Sequence, residues 1–317
     1  MKAIVCTGYG GPEVLQETER AVPEYGKNDL LIRIKATSVN SGDCRVRRAD
    51  PAAVKLFFGF TKPRKDILGT VFSGVVEQCG SAVTKFRVGD EVFGMSELNF
   101  GTFAEYFAIS EDMAVTHKPR SISHAEAASI PFGATTALHF IEKANIMSGD
   151  KVLIYGASGS VGIAVVQIAK NLGAHVTAVC STEKIPLLVR LGADDVIDYT
   201  KEDFTENGEI YDVAFDIVNK LEYETIKSLV KPKGKIVLSA AIFKGMMIAL
   251  KENIFGNKKV FVGMAEVNQK QMKVIAELVI LGAIKPIIDR TYSFNDMQEA
   301  HGYVDAGRKA GSVVVLV

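Results

Sequence analysis

The sequence has no tryptophan, four cysteines in 317 residues, and no surplus of either charge, with 37 Lys and Arg against 37 Asp and Glu. Each scarcity removes a class of explanation. Cys6, Cys44, Cys79 and Cys180 are too scattered for a disulfide framework. A net charge of zero leaves no overall basic excess for a polyanion, so a nucleic-acid partner is not expected. No apolar run reaches the length that crosses a bilayer. The opening MKAIVCTGYGGPEVL lacks the long apolar region of a signal peptide, so a cytoplasmic location is expected. No two Cys or His residues lie within four positions of each other, the nearest pair being His175 and Cys180. Zinc prefers Cys and His in closed or three-ligand sets, and the expected metal content is none.

What is present is ordinary globular composition, 48% apolar and 23% charged, in a chain long enough for two domains. Residues 1–118 read as short β segments between glycine-rich turns, among them AIVCTGYGG, LLIRIKATSVN, VFSGVVEQCG, DEVFGM and FAEYFAI. Their Val, Ile and Phe content and their spacing suggest a small barrel-like sheet. Near residue 121 an Ala-rich stretch begins, with a capping box in Ser123 and Glu126 and a break expected at Pro131 and Gly133. From Lys151 strands and helices alternate. KVLIY leads to a helix over 160–172, then HVTAVC, a helix near 183–191, DVIDY, DVAFDI, a helix near 222–229, KIVLSA, and a last strand in KVFVGM. That alternation implies a parallel sheet covered on both faces. NQKQMKVIAELVILGAI reads as a helix, and GSVVVLV as a strand returning to the first domain.

The most informative stretch is VLIYGASGSVG, in which a strand runs into a loop with glycine at 156, 159 and 162 and a helix opens at once. Val161, Val165, Ile168, Ala169 and Leu172 form the helix's apolar stripe, and Gly173 supplies a stop. A helix N-terminus offers free N–H groups and partial positive charge to an anion. In this strand–loop–helix setting, Gly156, Ala157, Ser158, Gly159, Ser160, Val161 and Gly162 are expected to hold a dinucleotide pyrophosphate. NAD sites usually carry an acid about 20 residues further on, to bind the ribose hydroxyls. Cys180, Ser181 and Thr182 stand there, followed by Lys184, a set that suits a 2′-phosphate and favours NADPH. A strand end shifted by one residue would instead make Glu183 the acid.

KATSVNSGDCRVR, ILGTVFSGVVEQCGSAVTKFRVGDEVFG, EAASIPFGATTALHFI, VLIYGASGSVG and LGADDVIDYTKEDF together resemble the medium-chain dehydrogenase/reductase superfamily, in its zinc-free quinone oxidoreductase-like branch. The resemblance spans nearly the whole chain. It implies an α/β fold: a GroES-like β-barrel catalytic domain at 1–118, a Rossmann doubly wound parallel-sheet domain at 119–264 that binds NADPH, and a segment at 265–317 returning to the catalytic domain. It also implies an active cleft between the domains and a homodimer through the edge strand near 259–264. Ser181, Lys184 and Tyr199 match the set that grips the adenosine phosphate in NADPH-using relatives, which discounts Glu183. Where zinc-dependent members carry a ligand Cys and a Gly-His-Glu, this sequence has Asn40, and Thr70 with Val71. Their four-cysteine lobe is absent too.

Alcohol oxidation benefits from a Lewis acid on the negative oxygen. A quinone or α,β-unsaturated carbonyl spreads the charge that arrives with hydride, so hydrogen-bond donors suffice. The expected activity is therefore NADPH-dependent reduction of a quinone, enone or 2-alkenal. The alternatives are an enoyl-thioester reductase and a non-catalytic NADPH-binding sensor or structural protein. Asn40 and Asp43 are the catalytic candidates and Thr135 the expected nicotinamide contact; the ordinary roles open to them are a turn Asn, a helix-capping Asp and a backbone-bonding Thr. Some relatives use a tyrosine two positions after the aspartate; Arg45 stands there, leaving the proton donor unassigned. Residues 45–65 hold seven basic side chains, one acid, and Phe57, Phe58 and Phe60. They read first as a solvated basic face anchored by its phenylalanines. Two further readings are a lid taking an anionic substrate through Arg47, Arg48 or Lys62, and weak contact with an anionic membrane.

Overall fold

The computed structural model describes residues 1–239 and 242–317, the side chains of 242–244 excepted. It contains two compact units, Met1–Phe132 with Val267–Leu281 and Pro286–Val317, and Gly133–Glu266 with Gly282–Lys285.

In the first unit, β1 (Lys2–Cys6) and β2 (Leu15–Glu19) pair antiparallel. β3 (Asp29–Val39), β4 (Val71–Cys79), β5 (Glu91–Met95), β6 (Tyr106–Ser110) and β7 (Val115–His117) build the larger sheet. β3 is buried along most of its length, which suits a strand paired with both β4 and β6. Leu30, Ile32, Ile34, Phe72 and Phe107 form one core beneath it. α1 (Ser41–Arg48) and α2 (Val54–Phe58) leave the sheet after β3. α3 (His124–Ala128) opens at Ser123, whose hydroxyl accepts from Glu126 N–H while the Glu126 carboxylate accepts from Ser123 N–H, the capping box the sequence suggested.

Two expectations for the basic segment need correction. Arg47 is fully buried and ion-paired with Asp305, and Arg48 donates to the same carboxylate at 2.7 Å, so neither is free to take an anionic substrate. Of the three phenylalanines only Phe58 anchors the segment, edge-on to Phe100 at 5.5 Å. Phe57 and Phe60 are exposed.

The chain then enters α4 (Pro131–Ala144). Pro131 starts this helix, as its missing N–H permits, whereas Gly133 lies inside it and breaks nothing. A Cβ on Gly133 would stand 2.3 Å from the Ser160 carbonyl, so glycine here serves close approach. The second unit runs β8 (Lys151–Tyr155), α5 (Ser160–Asn171), β9 (His175–Cys180), α6 (Ile185–Arg190), β10 (Asp195–Asp198), β11 (Tyr211–Asp216), α7 (Tyr223–Ser228), β12 (Val230–Leu238), α8 (Ile242–Phe255) and β13 (Lys259–Val262). All six strands are parallel, in the order β10-β9-β8-β11-β12-β13. Ala240, the last residue of the expected strand KIVLSA, lies outside the described residues.

α8 was not expected. Its exposed Met246, Met247, Leu250 and Ile254 blur the polar face that would mark a surface helix. Back in the first unit come α9 (Gln269–Ile280), β14 (Ile288–Ser293), α10 (Met297–Asp305) and β15 (Ser312–Leu316). β15 pairs antiparallel with β3 and parallel with β14, so the C-terminal strand returns as read from the sequence. β2, β7 and β14 were missed, being short or largely polar on one face. Among the described residues no helix is long and apolar enough to cross a membrane.

Candidate active site

The glycine loop follows β8 at the point where the strand order reverses, the usual ligand crevice of an open parallel sheet. Its three glycines do different work. Gly156 has φ +84°, and a Cβ there would meet Val218 at 2.8 Å. A Cβ on Gly162 would stand 2.3 Å from the Gly156 carbonyl, so a bare Cα is needed to close the loop onto α5. Gly159 has only the Gly156 carbonyl near its Cα, at 3.8 Å from an added Cβ. Its bare face opens on free space, as a site for close backbone approach requires. Gly159 also caps α5, where the first-turn N–H groups of Ser160, Val161 and Gly162 have no carbonyl one turn back within the helix. Ala157 is buried, its N–H donated to the Val179 carbonyl at 3.3 Å, while Ser158 is partly open. The loop is a cradle that a side chain would fill, and it fits a dinucleotide.

Thr135, in α4, is buried in the same unit. Ser181 follows the end of β9, and Lys184 closes the short turn after it, its N–H donating to the Ser181 carbonyl at 2.9 Å. Tyr199, half exposed beside Tyr155, is tied back through its N–H to the Cys180 carbonyl at 3.1 Å. Thr182 differs from its neighbours. Its hydroxyl donates to Asp198, whose other oxygen accepts from Thr200 N–H at 3.0 Å and Thr200 Oγ1 at 2.6 Å. These hydroxyl donors hold the Asp198 carboxyl down at about 2, so it is an anion at neutral pH bonded by three donors. Sequence reasoning missed Asp198, although it directly precedes Tyr199. It also missed Asp216, at the end of β11. That carboxylate accepts from Val218, Asn219 and Leu221 N–H groups and so shapes the loop facing Gly156.

Asn40 and Asp43 lie in the first unit. Asn40 is the N-cap of α1, its side-chain oxygen accepting from Gly42 N–H at 2.8 Å and Asp43 N–H at 3.1 Å. Asn40 Nδ2 donates to Thr70 Oγ1 at 2.9 Å. Asp43 completes the capping box by accepting from Asn40 N–H at 3.1 Å, and its second oxygen has no hydrogen-bond partner. Burial pushes Asp43 up to about 7, against the pull of the Asn40 N–H and the nearby Thr70 hydroxyl. Asp43 thus fills the capping role foreseen for it, Asn40 is a helix N-cap and not the turn residue foreseen, and one carboxylate oxygen of Asp43 is left over. Burial also pushes the Cys6 and Cys180 thiols up to about 11, and Cys44 further, so none is a ready thiolate.

Comparison with known proteins adds the lineage. Residues 26–120 match the model of the alcohol dehydrogenase GroES-like domain, and residues 191–315 that of the zinc-binding dehydrogenases. The chain is 33% identical to the 2-methylene-furan-3-one reductase of Solanum lycopersicum, over 99% of this chain and 79% of the relative. It is 31% identical to the chloroplastic NADPH-dependent alkenal/one oxidoreductase of Arabidopsis thaliana, with the same coverage. The solved quinone oxidoreductase of Coxiella burnetii superposes with a TM-score of 0.89 at 30% identity, covering 100% of this chain and 99% of that one. The chain belongs to the medium-chain dehydrogenase/reductase superfamily, in its quinone oxidoreductase-like branch.

For this medium-chain reductase the fold is a GroES-like domain with a Rossmann domain, and the class of chemistry is nicotinamide-dependent oxidoreduction. Zinc, which one family model's description implies, does not fit the residues at hand. Asn40 is bonded at both ends of its amide, and its neighbours Thr70 and Asp43 bring no thiolate or imidazole. Among the described residues no group of three or more His, Cys, Asp or Glu could hold a metal ion.

Proposed function

We propose that this protein reduces quinones or α,β-unsaturated carbonyls with NADPH, independently of zinc. The observation that carries this reading is its similarity, over 99% of its length, to two reductases whose names specify conjugated carbonyls. When bound, NADPH supplies hydride from its nicotinamide. The loop from Gly156 to Gly162 and the first turn of α5 hold the pyrophosphate, and Thr135 lies at the nicotinamide end. Ser181, Lys184 and Tyr199 take the 2′-phosphate. Thr182, its proton committed to Asp198, contributes indirectly. An Asp198 carboxylate already bonded by three donors is a weaker ligand for free ribose hydroxyls, which supports NADPH over NADH.

Asn40 is the proposed donor to the acceptor oxygen, where conjugation keeps the developing charge small enough for hydrogen bonding to stabilise. Asp43 fixes the orientation of Asn40 through the capping box and, with a pKa of about 7, stores a proton beside it. The enoyl-thioester alternative keeps only Lys62 of its three basic candidates, because Arg47 and Arg48 are spent on Asp305.

A homodimer is part of the proposal. β13 is an open edge of the parallel sheet, and α8 turns Met247, Leu250 and Ile254 to solvent, an apolar stripe suited to a second copy. Light scattering on the purified chain is expected to give twice the monomer mass, and a monomer at all concentrations contradicts it. A cytoplasmic location is proposed from the sequence, and cell fractionation checks it.

The test of the activity is NADPH consumption by chelator-treated protein with a small quinone, a 2-alkenal and an enoyl thioester in parallel. Turnover with the quinone or alkenal is expected. Silence with all three, despite saturable NADPH binding, overturns the reading in favour of a non-catalytic binding protein.

A further inference from the structure

The segment around α2 is not used by the proposed chemistry, and its surface is unlike the rest of the molecule. Leu56, Phe57 and Phe60 are 63%, 67% and 70% exposed within five residues. Lys55, Lys62, Arg64 and Lys65 surround them, with no acid between Asp50 and Asp66 in a chain whose net charge is zero. The exposure belongs to a fixed loop. Phe58 packs on Phe100, Tyr9 donates its hydroxyl proton to the Gly59 carbonyl at 2.6 Å, Arg64 N–H bonds the Phe58 carbonyl at 2.6 Å, and Pro63 is buried. The chain turns at Gly59, with φ +125°, where a Cβ would meet the Lys62 carbonyl at 2.3 Å. These ties hold the base of the loop inward and leave the three apolar side chains outward.

The cations are only weakly neutralised. Lys62 reaches Asp66 at 4.0 Å, a carboxylate already bonded by Arg20 at 3.0 Å, and Lys65 donates to the neutral Asn99 at 2.9 Å. Lys55 lies 5.4 Å from the centre of the Tyr9 ring, an interaction that leaves its charge in place. Exposed aromatic and aliphatic prongs ringed by lysine and arginine are the chemistry of an interfacial anchor. The apolar groups enter the headgroup–acyl boundary while the cations meet anionic headgroups. A polyanion without an apolar layer would satisfy the charges but leave Leu56 in water.

We infer that the α2 loop docks this protein on anionic lipid bilayers, with Leu56, Phe57 and Phe60 inserted and Lys55, Lys62, Arg64 and Lys65 against the headgroups. This stands independently of the acceptor reduced.

The experiment is co-sedimentation of the full chain with phosphatidylserine-rich and pure phosphatidylcholine vesicles, with a single-stranded RNA oligonucleotide as competitor. Partition into the phosphatidylserine vesicles that weakens with salt is expected. Lys62→Gln with Arg64→Gln should weaken it about 30-fold, from roughly fivefold per charge removed near the surface. Phe57→Ser with Phe60→Ser should also weaken it by tens of fold while leaving quinone turnover unchanged, turnover serving as the fold control. Because the chain has no tryptophan, Phe57→Trp gives a single reporter whose emission should shift to the blue on adding phosphatidylserine vesicles. Equal partition into both vesicles, no emission shift, or RNA displacing the vesicles would overturn the inference.

Discussion

Two carboxylates, one in each unit, show how the same side chain is driven to opposite states. Asp43 is buried with one oxygen accepting a single backbone N–H and the other unpartnered, and burial raises it to about 7. Asp198 is also little exposed, but it collects the Thr182 hydroxyl and both the N–H and hydroxyl of Thr200, and falls to about 2. Burial decides the outcome for Asp43 and hydroxyl donors decide it for Asp198. A carboxyl poised near neutrality can hold or release a proton, which suits the catalytic side of the proposal. An anion held by three donors positions its neighbours, which suits the cofactor side.

The largest expected effect comes from removing the poised charge. Asp43 in the unfolded chain ionises near pH 4, and in the folded protein near 7. Between those values the folded state keeps a proton the unfolded state has lost, so stability falls as pH rises through this window and the penalty is complete above it. Asp43→Asn retains a capping acceptor and has no charge to bury. Its denaturation curves should match the parent near pH 4 and exceed it above pH 7 by up to about 4 kcal/mol, while its kcat should drop. Parallel pH profiles for parent and variant would contradict the assignment.

Asp198 should behave with the opposite sign. Its contribution is present above the ordinary carboxylate range and is lost as pH falls toward 2. Asp198→Ala frees Thr182 and Thr200 and should raise the Kd for NADPH by roughly 10- to 100-fold, the scale of hydrogen bonds to a charged group; a fluorescence titration reads it. A smaller effect is expected at Lys184→Ala, which should cut the preference for NADPH over NADH by about tenfold. An unchanged preference would remove Lys184 from the phosphate site. Smallest is Thr182→Val. Its proton faces Asp198 and not the cofactor, so NADPH affinity should move by less than about threefold.

The second unit was the more legible in the sequence, for a physical reason. A parallel sheet needs apolar strands and amphipathic crossovers in strict alternation, and KVLIY, HVTAVC and DVAFDI show it locally. The Ser123 capping box was equally local. α8 escaped because its outer face is apolar too, which removes the periodicity that marks a helix. Gly133 was misread because its neighbour Ser160 lies 27 residues on, beyond any local pattern. The pairing of Arg47 with Asp305 spans 258 residues, so a buried salt bridge looked like part of a solvated basic face. Asn40 and Asp43 could be named from the sequence, but the orphaned oxygen that makes Asp43 chemically interesting depends on packing.

The most direct test of the central claim is isotopic. NADPH carrying deuterium at the transferable position of C4 would be mixed with a 2-alkenal and chelator-treated protein, and the product read by mass spectrometry and NMR. The account predicts one deuterium at the β-carbon of a saturated aldehyde, with one NADPH consumed per product. Deuterium at the carbinol carbon of an allylic alcohol, or abolition of turnover by the chelator, would contradict it.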